Sequence, residues 1–203
     1  MPKYHECEQY TDEWDTLHRG IPTSSKFDKI VTPTGKPSAQ WKGYAHHLLA
    51  ERLLGRAVDT FTSQWMERGL ELESDAVAMY EQLSELDTKQ IGFVTTDDGL
   101  VGCSPDRLVG DEGLLEIKVP KPATHIGYML TGEIEKDYYP QLQGQLFVTG
   151  RQWVDIISYH PEMFPVVIRV TRDEGFIGFL ENQLWEFNTY LKTIMSKIEQ
   201  MRG

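Results

Sequence analysis

Ser104-Pro-Asp-Arg-Leu-Val-Gly-Asp-Glu-Gly-Leu-Leu-Glu-Ile-Lys-Val-Pro120 sets Asp106 ten residues ahead of the triplet Glu116-Ile117-Lys118. Residues 100–109 are rich in strand formers, Gly110-Asp111-Glu112-Gly113 supplies turn residues, and 114–119 is a second apolar run. The stretch therefore reads as a β-hairpin. Side chains alternate along a strand, which sends Leu115, Ile117 and Val119 toward a core and leaves Glu116 and Lys118 together on the other face, about 6 to 7 Å apart. Pairing across the turn brings Asp106 beside them. Two neighbouring carboxylates repel and raise at least one pKa, a cost that a cation between them relieves. Their hard oxygens, with the Ile117 main-chain carbonyl as a third donor, suit Mg²⁺ or Mn²⁺. Lys118 can then orient or help deprotonate a water, or neutralise charge building on a phosphate. Glu/Lys alternation is also ordinary charge pairing on an exposed strand. Here the strongly apolar flanks argue for a central strand, where charges need a reason.

Upstream of the hairpin the pattern is helical. A short helix is expected at 14–19, and Thr23-Ser24-Ser25 caps a turn or two that reaches Val31. Ser38 caps a segment in which Trp41, Tyr44, Ala45, Leu48, Leu49, Arg52 and Leu53 recur at helical spacing, with Gly55 as the stop. A helix over 63–86 sets Trp65, Leu72, Val77, Met79, Tyr80 and Leu83 among charges. Strands are expected at 91–95, 100–109 and 114–119, helices at 123–131 and 138–148, strands at 153–159 and 166–170, and a closing helix at 174–201. The result is an α/β fold, a mixed sheet flanked by helices. The aromatic rings of Trp41, Tyr44, Trp65 and Tyr80 read as core. His46 and His47 point about 100° apart on a helix and cannot chelate one ion together, which favours packing or surface roles.

With 203 residues and 40% hydrophobic content, and without a Pro/Gly/Ser-rich linker or internal repeat, a single domain over 1–203 is expected. Residues 1–88 form its mainly helical portion and 89–203 its sheet and flanking helices. No charged leader followed by an apolar run is visible, and no apolar run approaches about 18 residues, which argues against a signal peptide or membrane span. Two cysteines, Cys7 and Cys103, are too few for a disulfide framework or a four-thiolate cluster and fit a reducing cytoplasm. A net charge of −11 has the wrong sign for coating nucleic acid. Its distribution is uneven: residues 16–56 hold seven basic and two acidic side chains, a local balance of +5. A basic N-terminal lobe facing DNA accounts for this, as does a solvated helical face.

Pro105-Asp106…Glu116-Ile117-Lys118 resembles the PD-(D/E)XK nuclease signature. Its surroundings, Cys103-Ser-Pro-Asp-Arg-Leu-Val109 and Gly113-Leu-Leu-Glu-Ile-Lys-Val-Pro120, resemble the lambda-type phage exonucleases, or YqaJ-like viral recombinases. Gly20-Ile-Pro-Thr-Ser-Ser25 with Ile30-Val-Thr-Pro-Thr-Gly-Lys36 is similar to that family's N-terminal segment. Trp65-Met-Glu-Arg-Gly-Leu-Glu-Leu-Glu73 is similar to its helix with an active-site glutamate, and Gln141-Leu-Gln-Gly-Gln145 to its glutamine motif.

The resemblance implies a restriction-endonuclease-like PD-(D/E)XK core and a Mg²⁺-dependent alkaline nuclease. Its members digest one strand of linear duplex DNA from 5′ to 3′, release 5′-mononucleotides and leave a 3′ single strand for recombination. It implies two Mg²⁺ ions, replaceable by Mn²⁺, held by Asp106, Glu116 and the Ile117 carbonyl, with Lys118 and Glu73 positioning the water. Read alone, Glu73 is one surface glutamate among Glu67, Glu71 and Asp75. Gln141 is the implied active-site glutamine, and Gln145, one turn on, shares its face; a polar start to a helix after Pro140 is the other reading. Ser25, Arg19, Lys36 and Gln145 are the candidates for contacting DNA and gripping a terminal 5′-phosphate. The family's Arg-x-Gly is here His18-Arg19-Gly20, so either Arg19 from the next position or a protonated His18 takes that arginine's place. Implied partners are duplex DNA ends, a ring-shaped homotrimer and a phage single-strand annealing protein in the bacterial cytoplasm, with no membrane. A structure-specific or restriction-type endonuclease, or a non-catalytic DNA-binding module, are the competing readings.

Overall fold

The computed structural model describes residues 1–58 and 64–202, the latter without the side chains of residues 64–66 and 202. Ser63 and the packing of Trp65 lie outside the described residues. Strand β1 (Lys3–His5), helix α1 (Asp12–His18), a 3-10 turn (Ser24–Lys29) and helices α2 (Trp41–Leu54) and α3 (Gln64–Ser84) precede the main run of strands. These are β2 (Thr88–Gln90), β3 (Phe93–Thr95), β4 (Gly102–Cys103), β5 (Arg107–Val109) and β6 (Gly113–Lys118). Helix α4 (Pro122–Thr131), a second 3-10 turn (Lys136–Tyr138) and helix α5 (Tyr139–Thr149) lead to β7 (Trp153–Ser158), β8 (Val166–Thr171) and the closing helix α6 (Glu174–Arg202).

The strands form two sheets where one was expected: β1-β3-β4, and β2-β5-β6-β7-β8. In the larger sheet β6 and β7 run parallel, with Glu116 beside Ile156 and Lys118 beside Ser158, and the other pairs are antiparallel. The expected strand over 100–109 is correspondingly broken. Its first half, β4, pairs with β3, its second half, β5, pairs with β6, and Ser104-Pro105-Asp106 carries the chain between sheets. Pro105 has no N–H to give a ladder and constrains Ser104 before it, so the break falls where pairing is least possible. β1 and β2, absent from the sequence expectation, are edge strands of three residues each, too short for a period-two pattern to register.

Alternation along the central strands builds two cores. Leu114, Val154 and Ile156 face Leu142 and Leu146 of α5, Leu180 and Phe187 of α6, and Tyr44 and Leu48 of α2. Leu115 and Ile157 face Ala76 and Tyr80 of α3 on the other side. Both faces of β6 are therefore covered, and Ile117 is only partly buried, at the edge of the smaller core. On that side Asp155 is buried, accepting from Tyr80 Oη at 2.8 Å and from Arg169 Nε and Nη2, each at 2.8 Å. Among the described residues no helix is long and apolar enough to cross a membrane.

Two expected caps differ. Thr23 precedes the first 3-10 turn without a side-chain cap bond, and α2 is preceded by Gln40, whose N–H donates to Ser38 Oγ at 3.3 Å. His46 lies near Tyr190, its Nε2 3.3 Å from the phenol oxygen, and His47 pairs with Glu51 one turn on. Trp41, Tyr44 and Tyr80 pack into the cores as expected.

Candidate active site

The break between the sheets places Asp106 at the open end of β5 and β6. Its Oδ2 accepts the Ile117 N–H at 2.6 Å, the bond that a further ladder residue would otherwise have taken. Glu116, on the α5 side of β6, is buried and surrounded by donors. Lys118 Nζ and Gln141 Nε2 reach Oε1 at 2.6 and 2.7 Å, and Gln145 Nε2 reaches Oε2 at 2.6 Å. The helical offset of four residues puts both glutamines on one face of α5. Gln143 points elsewhere, donating to the Thr171 carbonyl and accepting from the Asp173 N–H.

Burial, and then the neighbouring Glu116 charge, push Asp106 well above the usual carboxylate value of 3.8, although the Ile117 N–H favours its charged form. Burial pulls Lys118 down, but Glu116 and Asp106 outweigh it and the net shift is upward. Lys118 also lies over the Tyr138 ring, 4.7 Å from its centroid. The cluster is thus short of positive charge by its own chemistry. Among the described residues no group of three His, Cys, Asp or Glu side chains is placed to hold a metal ion. Asp106, Glu116 and the Ile117 carbonyl would offer a metal two carboxylates and one main-chain oxygen, a hard-oxygen set with few protein ligands of the kind Mg²⁺ accepts, since it keeps several of its waters.

Glu73 enters from α3, whose Leu72 and Ala76 pack against the far face of β6. Its Oε1 pairs with Arg107 Nη1 at 2.8 Å, and the same Nη1 donates to the Asp106 carbonyl at 2.6 Å. Arg107, which the sequence reading passed over, therefore ties Glu73 to the backbone of the central aspartate. Its position directly after Asp106 was the available signal.

Ser25 lies in the Ser24–Lys29 turn beside α5, an approach that requires Gly144. A Cβ there would fall 2.3 Å from Phe27 Cδ2. Ser25, Lys26, Asp28, Lys29, Asp137, Tyr138 and Gln141 line a cleft of about 210 Å³. Four other candidates do not line it, among them Gln145, which is buried with its amide given to Glu116. His18 lies against Trp14, ring centroids 4.0 Å apart, with Nδ1 3.0 Å from the Trp14 carbonyl. Arg19 closes α1, and Lys36 sits in an exposed turn whose carbonyl accepts from Thr32. Lys26 and Lys29 take their place on the cleft wall. Helical phase could have singled them out only had the turn been known to face α5.

Residues 13–152 match the model of the YqaJ-like viral recombinase domain. The fold is similar to the crystal structure of an alkaline exonuclease, LHK-Exo, from Laribacter hongkongensis, with a TM-score of 0.86 and 31% identity over 95% of this chain and 98% of that one. The same values hold for LHK-Exo in complex with dAMP. A phage-related exonuclease from Haemophilus somnus 129PT shares the fold at a TM-score of 0.61, with 14% identity over 97% of each chain. No curated protein matches the sequence.

Proposed function

The chain belongs to the YqaJ-like viral recombinase domain family and has the α/β fold of PD-(D/E)XK nucleases, and from this we propose that it is a DNA exonuclease, Mg²⁺-dependent and acting from 5′ to 3′ on linear duplexes. The observation that carries the reading is the convergence of Asp106, Glu116 and Lys118 with Gln141 and Gln145 at one strand end. Asp106, Glu116 and the Ile117 carbonyl would hold Mg²⁺, or Mn²⁺ in its place, with a second ion shared through Asp106. When bound, the metal supplies charge stabilisation to the attacking and leaving oxygens of an in-line displacement.

The chain's own groups do the rest. Lys118, its positive form favoured by the surrounding carboxylates, would orient a water and offset charge on the phosphate. Glu73, held by Arg107, would accept from the same water. Gln141 and Gln145 fix both oxygens of Glu116 and so preorganise the acidic cluster. The cleft beside Gln141, whose wall holds Ser25, Lys26 and Lys29 along with Asp28 and Asp137, would receive the terminal 5′-phosphate against its two lysines. A mononucleotide product accords with the related enzyme's complex with dAMP. By the same family likeness, the working unit is a ring-shaped homotrimer that hands a 3′ strand to a phage annealing protein in the host cytoplasm.

The test compares linear duplexes labelled at either end, with and without a 5′-phosphate, and a matched closed circle, in Mg²⁺ and in chelator. Loss of the 5′ label first, from phosphorylated linear DNA and only with Mg²⁺, is expected. Nicking of the circle would establish the endonuclease reading instead, and loss of the 3′ label first would reverse the polarity.

A further inference from the structure

At the rim of the acidic cluster stands an exposed aromatic ring that the mechanism above does not use. Tyr10 has a backbone φ of 64°, in the left-handed region that side chains other than glycine rarely occupy, and its residue is 63% exposed. Such a conformation persists only where its neighbours impose it. Here both do. Gln9 Nε2 donates to the carbonyls of Ile91 at 3.2 Å and Pro105 at 3.3 Å, and Thr11 caps α1 by accepting the Trp14 N–H at 3.4 Å. The Tyr10 ring rests on Trp14, centroids 5.3 Å apart. Trp14 Nε1 is in turn fixed to the Gly92 carbonyl at 3.2 Å and to Ser104 Oγ at 2.9 Å. Two of these anchors, at Pro105 and Ser104, land on the segment that carries Asp106, and two more, at Ile91 and Gly92, on the residues that lead into β3. Partial burial first, then the charges of Asp106, Glu73 and Glu116, raise the Tyr10 phenol, while Lys118 lowers it.

A large apolar face held rigidly in solvent beside a phosphate-handling site loses little entropy when a flat ligand covers it. Nucleobases are such ligands, and all four present a π-face. We propose that Tyr10, backed by Trp14, is a stacking subsite for the base of the nucleotide whose phosphate is held at Asp106 and Glu116. The subsite rests on the nuclease reading, and deepens it by adding a contact to the base that is indifferent to sequence.

The test uses Tyr10→Gly, which removes the ring and relaxes the left-handed backbone, and Tyr10→Phe, which keeps the ring. A duplex with 2-aminopurine as its 5′-terminal base is bound with Ca²⁺ in place of Mg²⁺, and its fluorescence is followed. Quenching in the wild type and in Tyr10→Phe, lost in Tyr10→Gly, is expected; equal quenching in Tyr10→Gly overturns the subsite. With Mg²⁺, removing the terminal base should lower wild-type kcat/KM at least about fivefold, since a stacked base contributes about 1–3 kcal/mol. Tyr10→Gly should lose a similar factor on the intact duplex and no longer distinguish the two. A wild type indifferent to the base overturns the subsite and leaves the nuclease reading intact. Base-dependent quenching without cleavage in Mg²⁺ does the reverse.

Discussion

Glu116 is the residue around which the candidate site is built, because a buried carboxylate must have its lone pairs met by donors. Lys118 and Gln141 share one oxygen and Gln145 alone serves the other. Replacing Gln145 with leucine leaves Oε2 buried without a protein donor, and should cost about 1–3 kcal/mol in a urea unfolding experiment. Gln141 is less buried and shares its acceptor, so Gln141→Ala should cost less stability while still impairing cleavage. Arg107 pairs with Glu73, so any part it takes in cleavage would be at one remove. Arg107→Gln should lower kcat with little change in KM for DNA, whereas a large rise in KM would mean that Arg107 meets the substrate directly. Spacing showed that Glu116 and Lys118 share one strand face and Gln141 and Gln145 one helix face, since periods of two and of three to four residues fix which side chains share a face, while the meeting of those faces in one site was only implied by the family resemblance. Arg107 and Tyr10 were legible from neither. Their partners lie on α3 and on the segment before β5, and no local period encodes that adjacency.

Two elements decide how the site is presented. The Ser24–Lys29 turn is held against α5 by the absence of a side chain at Gly144. Gly144→Ala drives a methyl into Phe27, and should destabilise by about 1–3 kcal/mol and raise KM for phosphorylated ends. At the other end of the sheet, Asp173 accepts the Phe176 N–H at 3.0 Å and the Tyr139 phenol at 2.8 Å, opening α6. These bonds, led by that to Phe176, hold Asp173 below its ordinary value of 3.8. A depressed carboxylate stabilises the fold above 3.8, and that contribution is lost as pH falls through its lowered value. Asp173→Ala should therefore cost about 0.5–2 kcal/mol at neutral pH, by loss of the cap, and progressively less in acid. Equal destabilisation across the range would mean that the carboxylate's charge plays no part. Helix positions were readable because apolar spacing persists over many residues. The strand over 100–109 was misread as continuous because its two halves are equally apolar, and only Pro105 marked the change of sheet.

Across the whole molecule, the charge of −11 works against DNA, and the local excess over residues 16–56 is the part of the chain whose sign favours it. Of that basic segment, Lys26 and Lys29 line the cleft beside Gln141, while Lys36 stands apart. Removing both should weaken binding to all sequences alike and reduce the salt dependence of affinity by about two phosphate contacts. Lys36→Ala should change neither, and an equal effect there would place the phosphate path along the 32–36 turn instead. The sequence by itself determined the chemical inventory and the faces: which oxygens and amides exist, and which of them share a strand or helix side. Only the tertiary structure decided that Asp106 sits where the chain crosses between two sheets, that Glu73 reaches it through Arg107, that Lys26 and Lys29 rather than His18 wall the cleft, and that Tyr10 is forced outward beside the acids. The physical reason is one of range. Faces follow from the geometry of successive residues, whereas these four placements depend on the close packing of segments far apart in the chain, packing so tight at the cleft wall that a single methyl at position 144 would meet Phe27.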